Sequence, residues 1–303
     1  MSLPGGIAVL PGLLSFDRTI AMFNLVTSWR TRMMSGFRKL LRDNVKRLAA
    51  NFHCEINRSG TIYSYGEQIM QQERSRIQSA LDVLRSYQTE TMDQLINELV
   101  FAQSQIGQDL FVLSELQLKR DGFFVEFGAA SGKELSNTYL LEKRYGWTGI
   151  LAEPARRWHQ AICDNRSCAI ETDCVWSKTG ESFIFNEVLG AELSTLDQFS
   201  NFDLHASQRT GGKKYDVKTI SIMDMLRKFE APGVIDYLSI DTEGSEYDIL
   251  QSIDYDRYKF KVITCEHNFT SSRGQIFSLL SSHGYVRKLE NISQFDDWYV
   301  LEH

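Results

Sequence analysis

Eleven residues, Gly122 to Gly132, constrain this chain most: Gly-Phe-Phe-Val-Glu-Phe-Gly-Ala-Ala-Ser-Gly. A short apolar run stops at a carboxylate, and a loop of small residues spaced by glycine follows. A helical pattern then covers Lys133 to Tyr145. Strand, tight turn and helix in that order suit a nucleotide-type ligand. Glycine lets the ligand approach the backbone, and a helix start offers free N–H groups.

The same grammar recurs downstream. Thr148–Ala152 runs into Glu153-Pro154, Cys168–Trp176 contains Asp173, Val234–Ile240 ends at Asp241, and Phe260–Cys265 ends at Glu266-His267. Helical patterns over Ala155–Cys163, Ile222–Phe229, Gly244–Ser252 and Gln275–Ser282 separate them. Ser182–Glu187 is expected to form a hairpin with Cys168–Trp176, and Val217–Ile220 a short extended piece. Tyr285–Leu289 and Trp298–Leu301 read as closing strands. Leu189–Lys214 is polar and irregular, which in a compact domain marks a functional or mobile loop. Alternating strands and helices predict an α/β fold with a parallel sheet covered on both faces. Ligands of such sheets collect at the carboxyl ends of the strands, where these acids fall.

Residues 1–100 read differently. From Ser15 to Phe52 apolar residues recur at helical spacing. Residues 1–50 hold eight Lys/Arg against two acids, although the whole chain carries −6. A basic amphipathic helix can lie on an anionic membrane surface, so peripheral membrane contact through residues 15–52 is one reading. The plainer reading is a helix packed on its own domain or on a second copy. Glu67–Phe101 lacks Gly and Pro, and Met70, Ile77, Leu81, Leu84, Met92, Leu95 and Leu99 form a near-heptad stripe. That predicts a helical hairpin or dimerisation arm, hence a homo-oligomer. The expected organisation is a helical region over 1–100 and a catalytic domain over 101–303.

Five cysteines without a C-x-x-C pair give no disulfide framework or zinc site and fit a reducing cytoplasm. Net acidity speaks against nucleic acid as partner, since phosphate contacts need clustered Lys/Arg. No Asn-Pro-Pro-Tyr motif of amine methylation occurs either.

The loop lacks both the G-x-G-x-x-G of dinucleotide sites and the P-loop pattern, so a pyrophosphate is not the expected ligand. S-adenosylmethionine carries no phosphate; it offers an ammonium, a sulfonium and a ribose diol, all of which favour carboxylates. In that reading Glu126 serves the amino-acid end, and Gly128 and Gly132 admit the cofactor. Glu153 takes the ribose hydroxyls, Asp173 or the backbone near Cys174 meets adenine, and Asp241 lies near the methyl-transfer centre.

Several ordered motifs resemble the FkbM-type S-adenosylmethionine-dependent methyltransferases. They are Ser104-Gln105-x-Gly107-Gln108-Asp109, Gly122 to Ala129, Ser136-Asn137-Thr138, Gly146-Trp147-x-Gly149-Ile150, Glu153-Pro154, Asp236 to Tyr247 and Asp297-Trp298-Tyr299. The resemblance covers about residues 103–300 and leaves 1–100 unexplained. It implies a Rossmann-like class I methyltransferase sheet with an antiparallel final hairpin. It also implies methyl transfer to a hydroxyl of a sugar in a glycan, glycolipid or secondary metabolite. The cofactor set becomes Gln108, Glu126, Gly128, Ala129, Gly132, Ser136, Glu153, Asp173, Cys174 and Asp241. One departure is Ala129-Ala130-Ser131, where more polar residues are usual in the family.

A hydroxyl acceptor needs its proton removed. His267 is the expected base because imidazole titrates near neutrality, with Asp241 and Glu243 as the other catalytic candidates. A divalent cation such as Mg2+, held by Asp241, Glu266 and His267, is the second route to activation. The competing function is a non-catalytic binding or scaffold protein on the same fold.

Overall fold

The structure, a computed structural model, describes residues 60–87, 91–188, 194–199, 209 and 211–302, with side chains from residue 71 onward. The helix expected over Ser15–Phe52 lies outside these residues. The chain divides into two units, Met1–Gln71 and Gln72–His303. Helix α1 spans Gly60–Arg85 and α2 spans Met92–Glu98, so the helical pattern over Glu67–Phe101 is divided between two helices. Past the break the Tyr87 hydroxyl donates to Glu115 Oε1 at 2.5 Å. Leu84, Leu95 and Leu99 of the expected stripe are buried within the second unit.

Helix α3 (Gln108–Glu115), β1 (Phe123–Phe127), α4 (Tyr139–Tyr145), β2 (Thr148–Ala152), α5 (His159–Asn165) and β3 (Ala169–Glu171) come next. Strands β4 (Cys174–Trp176), β5 (Ser182–Glu187), β6 (Thr195–Leu196) and β7 (Lys213–Ser221) build a second, smaller sheet. The chain then returns through α6 (Ile222–Lys228), β8 (Val234–Ile240), α7 (Glu246–Gln251) and β9 (Lys259–Glu266). It closes with α8 (Ser272–Ser282), β10 (Tyr285–Lys288) and β11 (Asp296–Leu301).

The main sheet has the order β10-β11-β9-β8-β1-β2-β3. Strands β3, β2, β1, β8 and β9 run parallel, and β11 is antiparallel to both β9 and β10. This is the expected α/β sheet with an antiparallel final hairpin. Central parallel strands are near-continuous apolar runs because helices cover both faces. On one face Val125, Phe127, Leu238, Ile240 and Ile263 share a core with Met225, Leu226, Ile249, Leu250, Ile276 and Leu280. On the other, Phe111 of α3 packs on Trp298 with ring centroids 4.7 Å apart. Each large apolar side chain fully buried in this way stabilises the fold by about 1.5–3 kcal/mol.

The local differences from expectation have identifiable causes. Lys133–Thr138 is not helical; only Tyr139–Tyr145 is. Cys168–Trp176 is not one strand: its first part pairs with β2 and its second with β7. Between them the Glu171 carboxylate accepts the N–H groups of Thr172 and Asp173 at 2.9 and 3.0 Å, a side-chain turn that redirects the chain. Ser182–Glu187 pairs with β6 and β7 rather than with Cys168–Trp176. The extended piece at Val217–Ile220 is part of the longer β7. Among the described residues no helix is long and apolar enough to cross a membrane.

From β1 the chain proceeds outward to β2 and β3; from β8 it proceeds the opposite way. The crevice at the carboxyl ends of β1 and β8 is therefore the topological switch point, where open α/β sheets bind ligands.

Candidate functional site

A cavity with about 540 Å³ of empty space, its mouth included, opens at this switch point. Gly128, Ala130, Glu153, Asp241 and Thr242 line it from the main sheet's side, and Cys174 from β4 of the second sheet. Phe185, Ser194 and Leu196 line it from the second sheet. Its charged groups are two carboxylates, Glu153 and Asp241; among the described residues no Lys or Arg lines it. Gly128 has φ +75°, and a Cβ there would lie 1.9 Å from the Asp241 carbonyl oxygen. The glycine thus brings the ends of β1 and β8 into contact. Glu153 accepts the Ala130 and Ala155 N–H groups, each at 2.8 Å. Burial nonetheless pushes its carboxyl up to about 7.

The loop after Gly128 is organised from behind. Glu126 is buried and does not line the cavity. It accepts Ser136 Oγ at 3.0 Å, the Asn137 N–H at 2.7 Å and Thr138 Oγ1 at 2.5 Å. These bonds hold 133–138 as a wrap around the carboxylate, which explains the missing helical turns. Arg166, fully buried, closes the wrap. It donates to Glu142 Oε2 at 2.7 Å, the Gly132 carbonyl at 3.0 Å, Ser136 Oγ at 3.1 Å and Thr138 Oγ1 at 2.8 Å. It also lies 3.7 Å from Glu126. A Cβ on Gly132 would come within 2.9 Å of the Arg166 stem. So Glu126, Gly132 and Ser136 shape the loop after Gly128 from outside the cavity, and Ala129 is buried beneath it. Arg166 escaped the sequence reading because its partners are 24 to 40 residues away.

Asp241 faces the cavity and shares a hydrogen bond with Glu266. Burial raises both carboxyls above the ordinary range; the negative charge of Asp296 adds to Asp241, and Asp241 itself adds to Glu266. Asp296 opposes Glu266 across the β9–β11 ladder. It accepts Gln108 Nε2 at 2.9 Å and Trp298 Nε1 at 3.3 Å, and burial pushes it up to about 7. Gln108 is thus tied to Asp296 rather than exposed in the cavity. Sequence reasoning missed Asp296; the acidic pair ahead of Trp298 was its only signal.

Other expected residues separate. Cys174 lines the cavity, with burial pushing its thiol up to about 12. Asp173 is outside the lining, its N–H turned to Glu171. Glu243, at φ +60°, is bound by Arg209 Nη2 at 2.6 Å and Asn268 Nδ2 at 3.2 Å. Glu246 accepts the Thr242 and Gly244 N–H groups at 3.0 and 2.9 Å, fixing the turn ahead of α7. His267 differs most from expectation. Its Nδ1 accepts the Phe269 N–H at 3.0 Å, its Nε2 lies 3.7 Å from Asp297, and burial lowers its pKa. It is absent from the cavity lining and from the carboxylate cluster. That cluster is Asp241, Glu243 and Glu266, with oxygens within 4.8 Å of one another. Glu243 therefore stands where His267 was expected among the possible cation ligands.

The family model for the methyltransferase FkbM domain matches residues 126–295. No curated protein sequence matches the chain. Among solved structures, the chain is similar to a methyltransferase FkbM from Methylobacillus flagellatus KT. Identity is 12%, over 74% of this chain and 58% of that one, with a TM-score of 0.37. It is also similar to a precorrin-6y C5,15-methyltransferase from Geobacter metallireducens GS-15. There identity is 15%, over 62% of this chain and 75% of that one, with a TM-score of 0.35.

Proposed function

The chain belongs to the FkbM methyltransferase family, and from that premise we propose that it is an S-adenosylmethionine-dependent O-methyltransferase acting on a sugar hydroxyl. The observation that carries the cofactor reading is the switch-point cavity, whose charged lining is two carboxylates. A pyrophosphate would be repelled there, whereas a cofactor bearing sulfonium and ammonium charges is attracted. Glu153 suits the ribose diol as a two-oxygen acceptor. Cys174, Phe185 and Leu196 offer an apolar slot for a base. The sugar acceptor is what the family resemblance implies.

When bound, the cofactor supplies an electrophilic methyl group on a sulfonium, which departs as a neutral thioether. This chain's task is to align the acceptor oxygen and remove its proton. Asp241 is the group suited to take it. Its carboxyl, raised by burial and by neighbouring acids, is a stronger base than an exposed aspartate and is supported by Glu266. His267 is replaced in this role because its ring faces Asp297 and not the cavity. A cation on Asp241, Glu243 and Glu266 is the second reading for activation. It requires that chelation abolish turnover and that Mg2+ restore it.

Calorimetry on the full chain is expected to give a Kd for S-adenosylmethionine in the low-to-mid micromolar range, about −7 to −8 kcal/mol. Absence of both heat and thermal shift would favour the non-catalytic scaffold instead. Affinity is further expected to rise about tenfold between pH 6 and pH 8, as Glu153 ionises through about 7. The ionised form is the better acceptor for ribose hydroxyls, so affinity climbs with pH. Glu153→Gln should flatten that profile; an unchanged profile in the variant would assign the titration elsewhere.

A further inference from the structure

Among the described residues no Lys or Arg lines the switch-point cavity. Arg209, itself buried, nonetheless donates Nη2 to Glu243 Oε2 at 2.6 Å. We propose that Arg209 is a positioning residue for methyl transfer: its guanidinium is the resident cation of the cluster Asp241, Glu243 and Glu266 and holds the place that a divalent ion would take there. This rests on the methyl-transfer reading above and chooses between its two routes of activation, the Asp241 base and the bound cation.

Connectivity is the first argument. Asn186 of β5 and Thr195 of β6 oppose each other in the ladder of the second sheet. Asn186 Nδ2 donates to the Arg209 carbonyl at 3.1 Å, and Thr195 Oγ1 donates to the Glu243 carbonyl at 3.0 Å. One register pair thus holds the arginine and the glutamate by their backbones, while their side chains meet directly. Phe199 closes the same turn, since a Cβ on Gly244 would come 3.0 Å from the Phe199 Cβ. The turn gripped in this way, residues 242–244, follows Asp241 without a break. Within it Glu243 holds left-handed backbone at φ +60°. A glutamate keeps that conformation only where its surroundings enforce it. Loss of Arg209 would release this turn beside the proposed base.

Charge is the second. Asp241, Glu243 and Glu266 each present an oxygen within 4.8 Å of the other two, a spacing that suits a cation. Glu243 Oε2, however, already accepts Arg209 and also Asn268 Nδ2, the latter at 3.2 Å. Arg209, Glu243 and Asn268 are all buried, so solvent ions screen the guanidinium little. A divalent ion on Glu243 would lie beside that charge and be repelled by it. Glu243 in turn repels the carboxylate of Glu266. A guanidinium on Glu243 therefore relieves the pair that contains the base.

The test uses Mn2+ alone, followed by electron paramagnetic resonance on the full chain without cofactor. The wild type is expected to take up no Mn2+ at this cluster up to about 1 mM, the weak end of carboxylate sites. Arg209→Met strips the cluster of its cation and is expected to bind Mn2+ at least about a hundredfold more tightly than the wild type. Arg209→Lys retains the charge and should behave as the wild type, and adding Glu243→Gln to Arg209→Met should abolish the gain. Turnover is the second readout. EDTA should leave the wild type unchanged, and Arg209→Met should lower kcat at least about thirtyfold with cofactor affinity little altered. Arg209→Lys should recover most of that loss. Thermal melts establish which variants fold. Wild-type Mn2+ uptake that Glu243→Gln abolishes overturns the proposal whether or not Arg209→Met folds, as does a folded Arg209→Met that binds no Mn2+. Failure of the wild type to bind S-adenosylmethionine is a separate outcome: it removes the methyl-transfer reading and leaves the Mn2+ result standing.

Discussion

Asp241→Asn is expected to lower methyl transfer at least about a thousandfold and yet to make the protein more stable at pH 8. The two effects share one cause. Half-buried Asp241 and buried Glu266 lie beside Asp296, and desolvation first, then mutual repulsion, raises their affinity for protons. In the folded chain the pair holds protons that the unfolded chain releases at ordinary carboxylate pKa values. Such groups contribute stability below the unfolded pKa and lose it as pH rises toward the folded one. At pH 8 the wild type bears most of that loss, whereas asparagine has no charge to bury. The gain should be about 1–3 kcal/mol, because Asp241 is only partly buried and solvent moderates the cost. The amide keeps a hydrogen bond to Glu266, and the backbone carbonyl that Gly128 abuts is untouched. Melts at pH 6 and pH 8 should show a flatter pH dependence in the variant, and single-turnover assays the lost chemistry. Turnover within tenfold of wild type would remove Asp241 from the centre of the reaction.

That centre was legible because a parallel strand buried on both faces reads as an unbroken apolar run, and the acid ending it stands out. Asp241 and Glu153 were found on this basis and Gly128 from the glycine-spaced loop, and all three line the cavity. His267 was chosen for the intrinsic pKa of imidazole, but it lies one residue past the end of β9, where its Nδ1 accepts the Phe269 N–H and its Nε2 turns to Asp297. A turn made after the strand end leaves no mark in the apolar run before it. The helix expected at Lys133 failed because Glu126 competes for the donors of Ser136, Asn137 and Thr138. Local periodicity cannot register a carboxylate ten residues upstream. The division of Cys168–Trp176 between two sheets depends on Glu171 capturing the next two N–H groups, a polar turn inside an otherwise strand-like run.

Replacing Arg166 is expected to cost about 3–5 kcal/mol, since it leaves buried acids without their cation. Burial raises Glu126, and Arg166 is the leading influence against that rise. At Glu142 burial also raises the pKa, but Arg166 and its hydrogen bonds prevail and hold the carboxyl down at about 2. The stability that Glu142 contributes is present above the ordinary glutamate pKa and is lost as pH falls toward 2. Arg166→Met removes the charge and all four hydrogen bonds while keeping the stem beside Gly132. The wrap at 133–138 should loosen, and cofactor affinity should fall at least tenfold although Arg166 is outside the cavity lining. Arg166→Lys keeps the charge but not the planar fork that serves Glu142, Gly132, Ser136 and Thr138 together, so it should fall between the two. Adding Glu126→Gln to Arg166→Met removes one of the stranded charges and should recover stability but not affinity, because the loop still lacks its clamp. Melting curves and cofactor titrations on the four proteins separate these effects. If Arg166→Met melted and bound like the wild type, the glycines and Glu126 alone would suffice to hold the loop, and the buried guanidinium would be incidental to the site.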